Sequence, residues 1–147
     1  MTKPSGPSLA ERIEAIEQTY EFMLAYAAQG REDEAGGSIR ESLDRAAAAL
    51  DGLAAVSSAR LPAAQDASRR AFADFLEVLD QDARKAGAAL RLVLAQKSIS
   101  SQLVDNLNAS IHLRTLLTDI FLIDGALKAS RGRWQRPDAM SHCERAR

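Results

Sequence analysis

Two histidines and one cysteine are the residues of this chain best suited to metal or nucleophilic chemistry, and their spacing limits what each can do. His142 and Cys143 stand together in Ser141-His-Cys-Glu144, but no second ligand pair lies at the spacing a zinc site needs. A di-iron site in a helical bundle uses Glu-x-x-His pairs on two helices, and neither His112 nor His142 has a glutamate three residues before it. Glu14, Glu17 and Glu21 line one side of a helical stretch with Arg12 and Gln18 beside them, the composition of a solvated face. Nucleophilic catalysis requires a serine or cysteine with a base and a third, orienting group; Ser98, Ser100 and Ser101 are better explained as helix caps. The run EAGGS at 34–38 lacks the lysine and the preceding strand of a phosphate loop. No catalytic residue, cofactor or metal is therefore expected.

His112 lies in SIHLRTLLTDIFLIDGAL, Ser110 to Leu127. Its first nine residues resemble the phosphoacceptor segment of sensor histidine kinases at Ser110, Leu113, Arg114, Thr115, Leu117 and Thr118. They depart from it where the phosphate would be carried, since Ile111 stands there, and at Leu116, which replaces a proline. No phosphotransfer is expected. Wound at about 100° per residue, Asp105, Asn108, His112, Thr115 and Asp119 share one narrow stripe, expected to face solvent or line a rim. Almost everything else in this helix is apolar, so it is expected to be central or to face a second protomer. Ser110, Arg114 and Asp124 lie off the stripe, on the apolar side. A buried arginine is costly unless paired. Arg114 thus either meets a carboxylate or an anion, in the core or across an interface, or runs its stem along apolar surface to water. The candidate interface or ligand residues are Arg114, Leu113, Leu117, Ile120, Phe121 and Asp124.

The elements that must position these residues are all helices. Ser8 and Glu11 form a capping box, followed by a seam of Leu9, Ile13, Ile16, Tyr20, Met23 and Ala27 in steps of four and three. A second box, Ser38 with Glu41, precedes Ile39, Leu43, Ala46, Leu50 and Leu53. Pro62 suits the first turn of a third helix running to about Gln96. Gly87 lies in its interior, among small residues that would let another helix approach closely. A serine of the 98–101 run caps a fourth helix to about Ser130, ended by Gly132 and Pro137. The spacing predicts an all-α, antiparallel four-helix bundle, with two shorter N-terminal helices and a long C-terminal helical hairpin. At about 1.5 Å per residue the first pair spans roughly 30 Å and the second roughly 45 to 50 Å. Part of the hairpin is left to another partner. Residues 1–8 are expected as a flexible lead-in, 9–130 as the bundle and 131–147, with Trp134, as a flexible basic tail.

A chain of 147 residues, 46% hydrophobic and 27% charged, suits one folded domain. Residues 1–34 carry 3 basic and 7 acidic side chains, and residues 128–147 carry 6 basic and 2 acidic. This polarity reads as two solvated ends. The Arg-rich tail with Trp134 is too short, in a domain that is not basic overall, to imply a nucleic-acid partner. No run approaches a membrane span or a signal peptide, and a single cysteine fits a reducing compartment, so the cytoplasm is expected. The reading is a non-enzymatic interaction protein, dimeric, with a protein partner, serving as an accessory or regulatory subunit. The alternatives are a sensor bundle reading a small anion through Arg114 and a small helical chaperone.

Overall fold

The computed structural model describes residues 6–35, 37–61 and 67–135, with side chains through Ala129. Among these residues every regular element is a helix: α1 Leu9–Ala27, α2 Ile39–Leu50, α3 Leu53–Ser58, α4 Ala67–Leu94, α5 Ser101–Ala109 and α6 Ile111–Gln135. No helix among them is long and apolar enough to cross a membrane.

The Ser8 capping box closes as the spacing predicts. Ser8 Oγ accepts the Glu11 amide at 3.2 Å, and the Glu11 carboxylate accepts the Ser8 amide at 2.7 Å. The second box does not form. Ser38 sits at φ −107°, ψ 19° and its side chain makes no capping bond. A longer-range device takes over there: Arg40 pairs with Glu34 at 2.5 Å and donates to the carbonyls of Leu94 (2.6 Å) and Gln96 (3.0 Å). A cation thus satisfies the carbonyls at the C-terminal end of α4, where the helix dipole favours positive charge. Arg12 does the same for α2, reaching the carbonyls of Ala49 (3.1 Å) and Asp51.

The second seam is buried throughout, Ile39, Leu43, Ala46, Leu50 and Leu53 included. It is carried by two helices rather than one, because Gly52 turns the chain at φ +76°, a left-handed conformation open to glycine, and Leu53 starts α3. Pro62 lies outside the described residues, and α4 is described from Ala67. Gly87 does not mark a close helix crossing. A Cβ there would meet only the guanidinium of Arg91, at 3.1 Å and beyond, and no atom of another helix within 4 Å.

The expected fourth helix is broken in two. Ser100 caps α5, its Oγ accepting the Leu103 amide at 3.1 Å. At Ser110 the backbone becomes extended (φ −61°, ψ 127°) and α6 starts at Ile111. The break lets α5 pack on α1 while α6 packs on α4. At the far end α6 runs on past Gly132 to Gln135 and includes the backbone of Trp134, so the helix outlasts the expected boundary at 130. The His142–Cys143 pair lies outside the described residues.

A buried knot joins the end of α1 to the start of α5. Tyr26 donates to the Ile99 carbonyl at 2.5 Å and the Asp33 carbonyl at 3.2 Å. Ser101 Oγ donates to the Tyr26 carbonyl at 2.6 Å and accepts the Arg31 amide at 2.8 Å. The Ser101 amide donates to the Arg31 carbonyl at 2.8 Å. Burial raises the Tyr26 pKa, against the opposing charge of Arg31.

Candidate functional site

Helix α6 is apolar nearly all round, and its packing decides which apolar residues have neighbours. Leu113, Leu116, Leu117, Ile120, Ile123 and Leu127 are buried in the core. Leu113, Leu117 and Ile120 therefore build the protein's own interior rather than an open contact surface. Phe121 stands on the opposite face, 59% exposed, with Leu122 at 59% and Ile111 at 70%. Three large apolar side chains on one helix, each more than half in water, form the most conspicuous unpartnered feature of the described surface.

Arg114 lies on this same open face. It is exposed, and its guanidinium makes no hydrogen bond or ion pair among the described residues. Of the two alternatives for Arg114, the arrangement within this chain is the one in which the side chain reaches water. Asp124 is half-buried and pairs with Lys128 at 2.8 Å, one turn along the helix.

Helices α4 and α6 run side by side in opposite directions. Ser68, Ala71, Phe72 and Phe75 of α4 share an apolar groove of about 200 Å³ with Leu122, Ile123 and Ala126 of α6, while Asp82 stands against Asp119. Two mixed-charge clefts also open on the surface. One of about 340 Å³ includes Glu14, Glu17, Arg60, Asp124 and Lys128, and one of about 610 Å³ is bordered by Arg12, Val56 and Arg60. Ser8 and Glu11 also line the larger cleft, where both are engaged in the capping box of α1. Among the described residues no group of three His, Cys, Asp or Glu side chains is placed to hold a metal.

The polar stripe divides in a way its spacing does not reveal. Asp105 and His112 are exposed and Thr115 is half-buried, but Asn108 and Asp119 are buried. The break at Ser110 divides the stripe between two helices: Asn108 is buried on α5, and on α6 Asp119 is buried against Asp82 of α4. Asp119 is only 8% exposed, and as a carboxylate its Oδ2 has no partner. Burial first, then a hydrogen bond to Asp82 and the Asp82 charge, push its pKa up to about 7. Two facing carboxylates cannot both ionise cheaply; with one proton between them, Asp119 becomes a donor to Asp82. No cation of the same chain contributes to this balance. On the helices concerned, Lys85 and His112 are exposed, Asp80 is tied to Arg84 at 2.9 Å, and Asp124 is tied to Lys128. Among the elements packed on them, α3 has no ionisable side chain and α5 has only Asp105. Helix α2 carries Arg40, held by Glu34, together with Glu41, Asp44 and Arg45.

Asp82, Val78 and the Phe72–Phe75 pair have no place in the site read from sequence. The signal that could have found them is a second periodicity on α4, at 75, 78, 82, 85, 89 and 92, offset from the core seam. No family model matches this chain, and neither a curated protein nor a solved structure does.

Proposed function

We propose that this chain is a non-enzymatic helical interaction protein, a homodimer that serves as an accessory or regulatory subunit of another protein, with the cytoplasm as its setting. The observation that carries the reading is the open apolar face of α6, where Ile111, Phe121 and Leu122 are each more than half exposed. Fully burying a side chain of this size contributes about 1.5 to 3 kcal/mol, so the exposed portion of each is worth roughly 1 to 2 kcal/mol. A symmetric dimer buries each of them twice. The resulting sum, roughly 6 to 12 kcal/mol, is of the size needed to offset the roughly 4 to 15 kcal/mol cost of association.

In this reading the six helices act as four strokes of an antiparallel bundle, α2–α3 and α5–α6 each being one interrupted stroke. Its support is the neighbour pattern: α1 packs on α2 and α5, and α4 packs on α2 and α6. Light scattering across a dilution series tests the proposal. Twice the chain mass at high concentration, falling toward one chain mass on dilution, is expected; a folded monomer at every concentration refutes it.

A further inference from the structure

The surface that α4 and α6 turn to solvent carries two parallel seams, one on each helix. On α4, Phe75, Val78, Asp82, Lys85, Ala89 and Leu92 recur in alternating steps of three and four; all are half-buried or exposed, Val78 at 45% and Leu92 at 66%. On α6, Ile111, Thr115, Thr118, Leu122, Gly125 and Ala129 alternate in the same way, and none is buried. Steps of three and four keep one face of a helix turned toward a facing helix over many turns. Both seams lie at the rim of the apolar groove, since Phe75 and Leu122 line it together. The core seams of these helices, Leu79–Ala86–Leu90–Val93 and Leu113–Leu116–Ile120–Ile123, are separate and already filled.

Resting on the self-association proposed above, we infer that this two-helix face is the dimer interface, occupied by the same face of a second copy related by a two-fold axis perpendicular to the helices. The order of residues on α4 is self-complementary under that operation. With the axis midway between Asp82 and Lys85, each Asp82 meets Lys85 of the second copy. Val78 meets Ala89, and Phe75 meets Leu92. Charge matches charge and apolar matches apolar, as an isologous contact requires.

Helix α6 places a residue of its own seam on the same axis. Asp82 stands across from Asp119 in the antiparallel pair, so the midpoint between Asp82 and Lys85 lies across from about residue 117 or 118. Thr118 is the residue of the α6 seam that lies at this height. Under the axis Thr118 meets its own copy, and Ile111 falls on Gly125, where a side chain is absent and nothing lies within 4 Å of the open position. Arg114 comes over the ring of Phe121 of the second copy, a cation–π contact for the exposed guanidinium.

The test is site-directed cross-linking in a Cys143→Ser background. Oxidation of Thr118→Cys gives a covalent dimer, because a residue on the axis faces itself at disulfide distance; Gln102→Cys, exposed on α5, gives none. Lys85→Glu turns two attractive contacts into two repulsive ones and weakens the dimer roughly tenfold at low salt. Failure of Thr118→Cys to cross-link, or an unchanged dimer in Lys85→Glu, overturns this interface while a dimeric wild type leaves the self-association reading standing. A wild type that is monomeric throughout a dilution series overturns both.

Discussion

Wild-type protein should gain stability on acidification through neutrality, and Asp119→Asn should lack that gain. Asp119 is held at a pKa of about 7 in the fold, against 3.8 for an ordinary aspartate. A group whose folded pKa lies above its unfolded value binds extra protons in the native state between those two pH values. Its contribution is therefore fully present below pH 3.8 and is lost as the pH rises through about 7. The span of about three units corresponds to at most about 4 kcal/mol at about 1.36 kcal/mol per unit, and the part between pH 8 and pH 5 is about 2 to 3 kcal/mol. For a chain of this length that is a rise of about 4 to 12 °C in Tm on acidification. Asparagine at 119 carries permanently the N–H donor that the protonated acid offers to Asp82, so Asp119→Asn should match or exceed wild type at pH 8 and lack the extra slope. The assay is thermal unfolding by circular dichroism at pH 5, 6, 7 and 8. Protein concentration is held fixed, because self-association itself raises Tm. Other carboxylates titrate in both proteins, so the informative quantity is the difference between the two profiles. Parallel profiles would refute the shared proton.

Tyr26→Phe leaves the buried Ile99 carbonyl without its donor and should cost about 2 kcal/mol in urea unfolding, with an unchanged m value. A loss under about 0.5 kcal/mol would show that the Tyr26 hydroxyl does not hold α1 to α5. Gly87→Ala should stabilise the protein by up to about 1 kcal/mol, because the added methyl meets only the movable end of Arg91; a lower Tm would place another helix against it. Asn108→Leu should raise stability by about 1 kcal/mol, since neither amide atom of this buried residue has a partner among the described residues. A loss there would show that the amide holds a bond or a water.

Much of the helical framework is legible in the sequence because its signals are local. The Ser8–Glu11 box needs only four residues and forms as read. Features that depend on neighbours are not legible. Ser38 and Glu41 have the same spacing as the first box, yet Glu34, Arg40 and the carbonyls of α4 offer that loop a different set of bonds. Ser110 interrupts a run with no Gly or Pro to mark a stop, and the packing differs on its two sides: α5 lies on α1 and α6 on α4. The candidate site suffered similarly. An apolar-all-round helix does not state which side is covered, so Leu113, Leu117 and Ile120 read the same as Phe121 until α4 is placed. Asp119 looked solvated for the same reason, since its burial is supplied by a helix some forty residues earlier.

We infer that the α4–α6 face holds two copies together. Sedimentation velocity on wild type and Leu122→Arg at one concentration tests it most directly, because Leu122 is 59% exposed and its replacement leaves the core seam intact. Wild type should sediment as a dimer and Leu122→Arg as a folded monomer. A Leu122→Arg protein that sediments as the same dimer as wild type would contradict it.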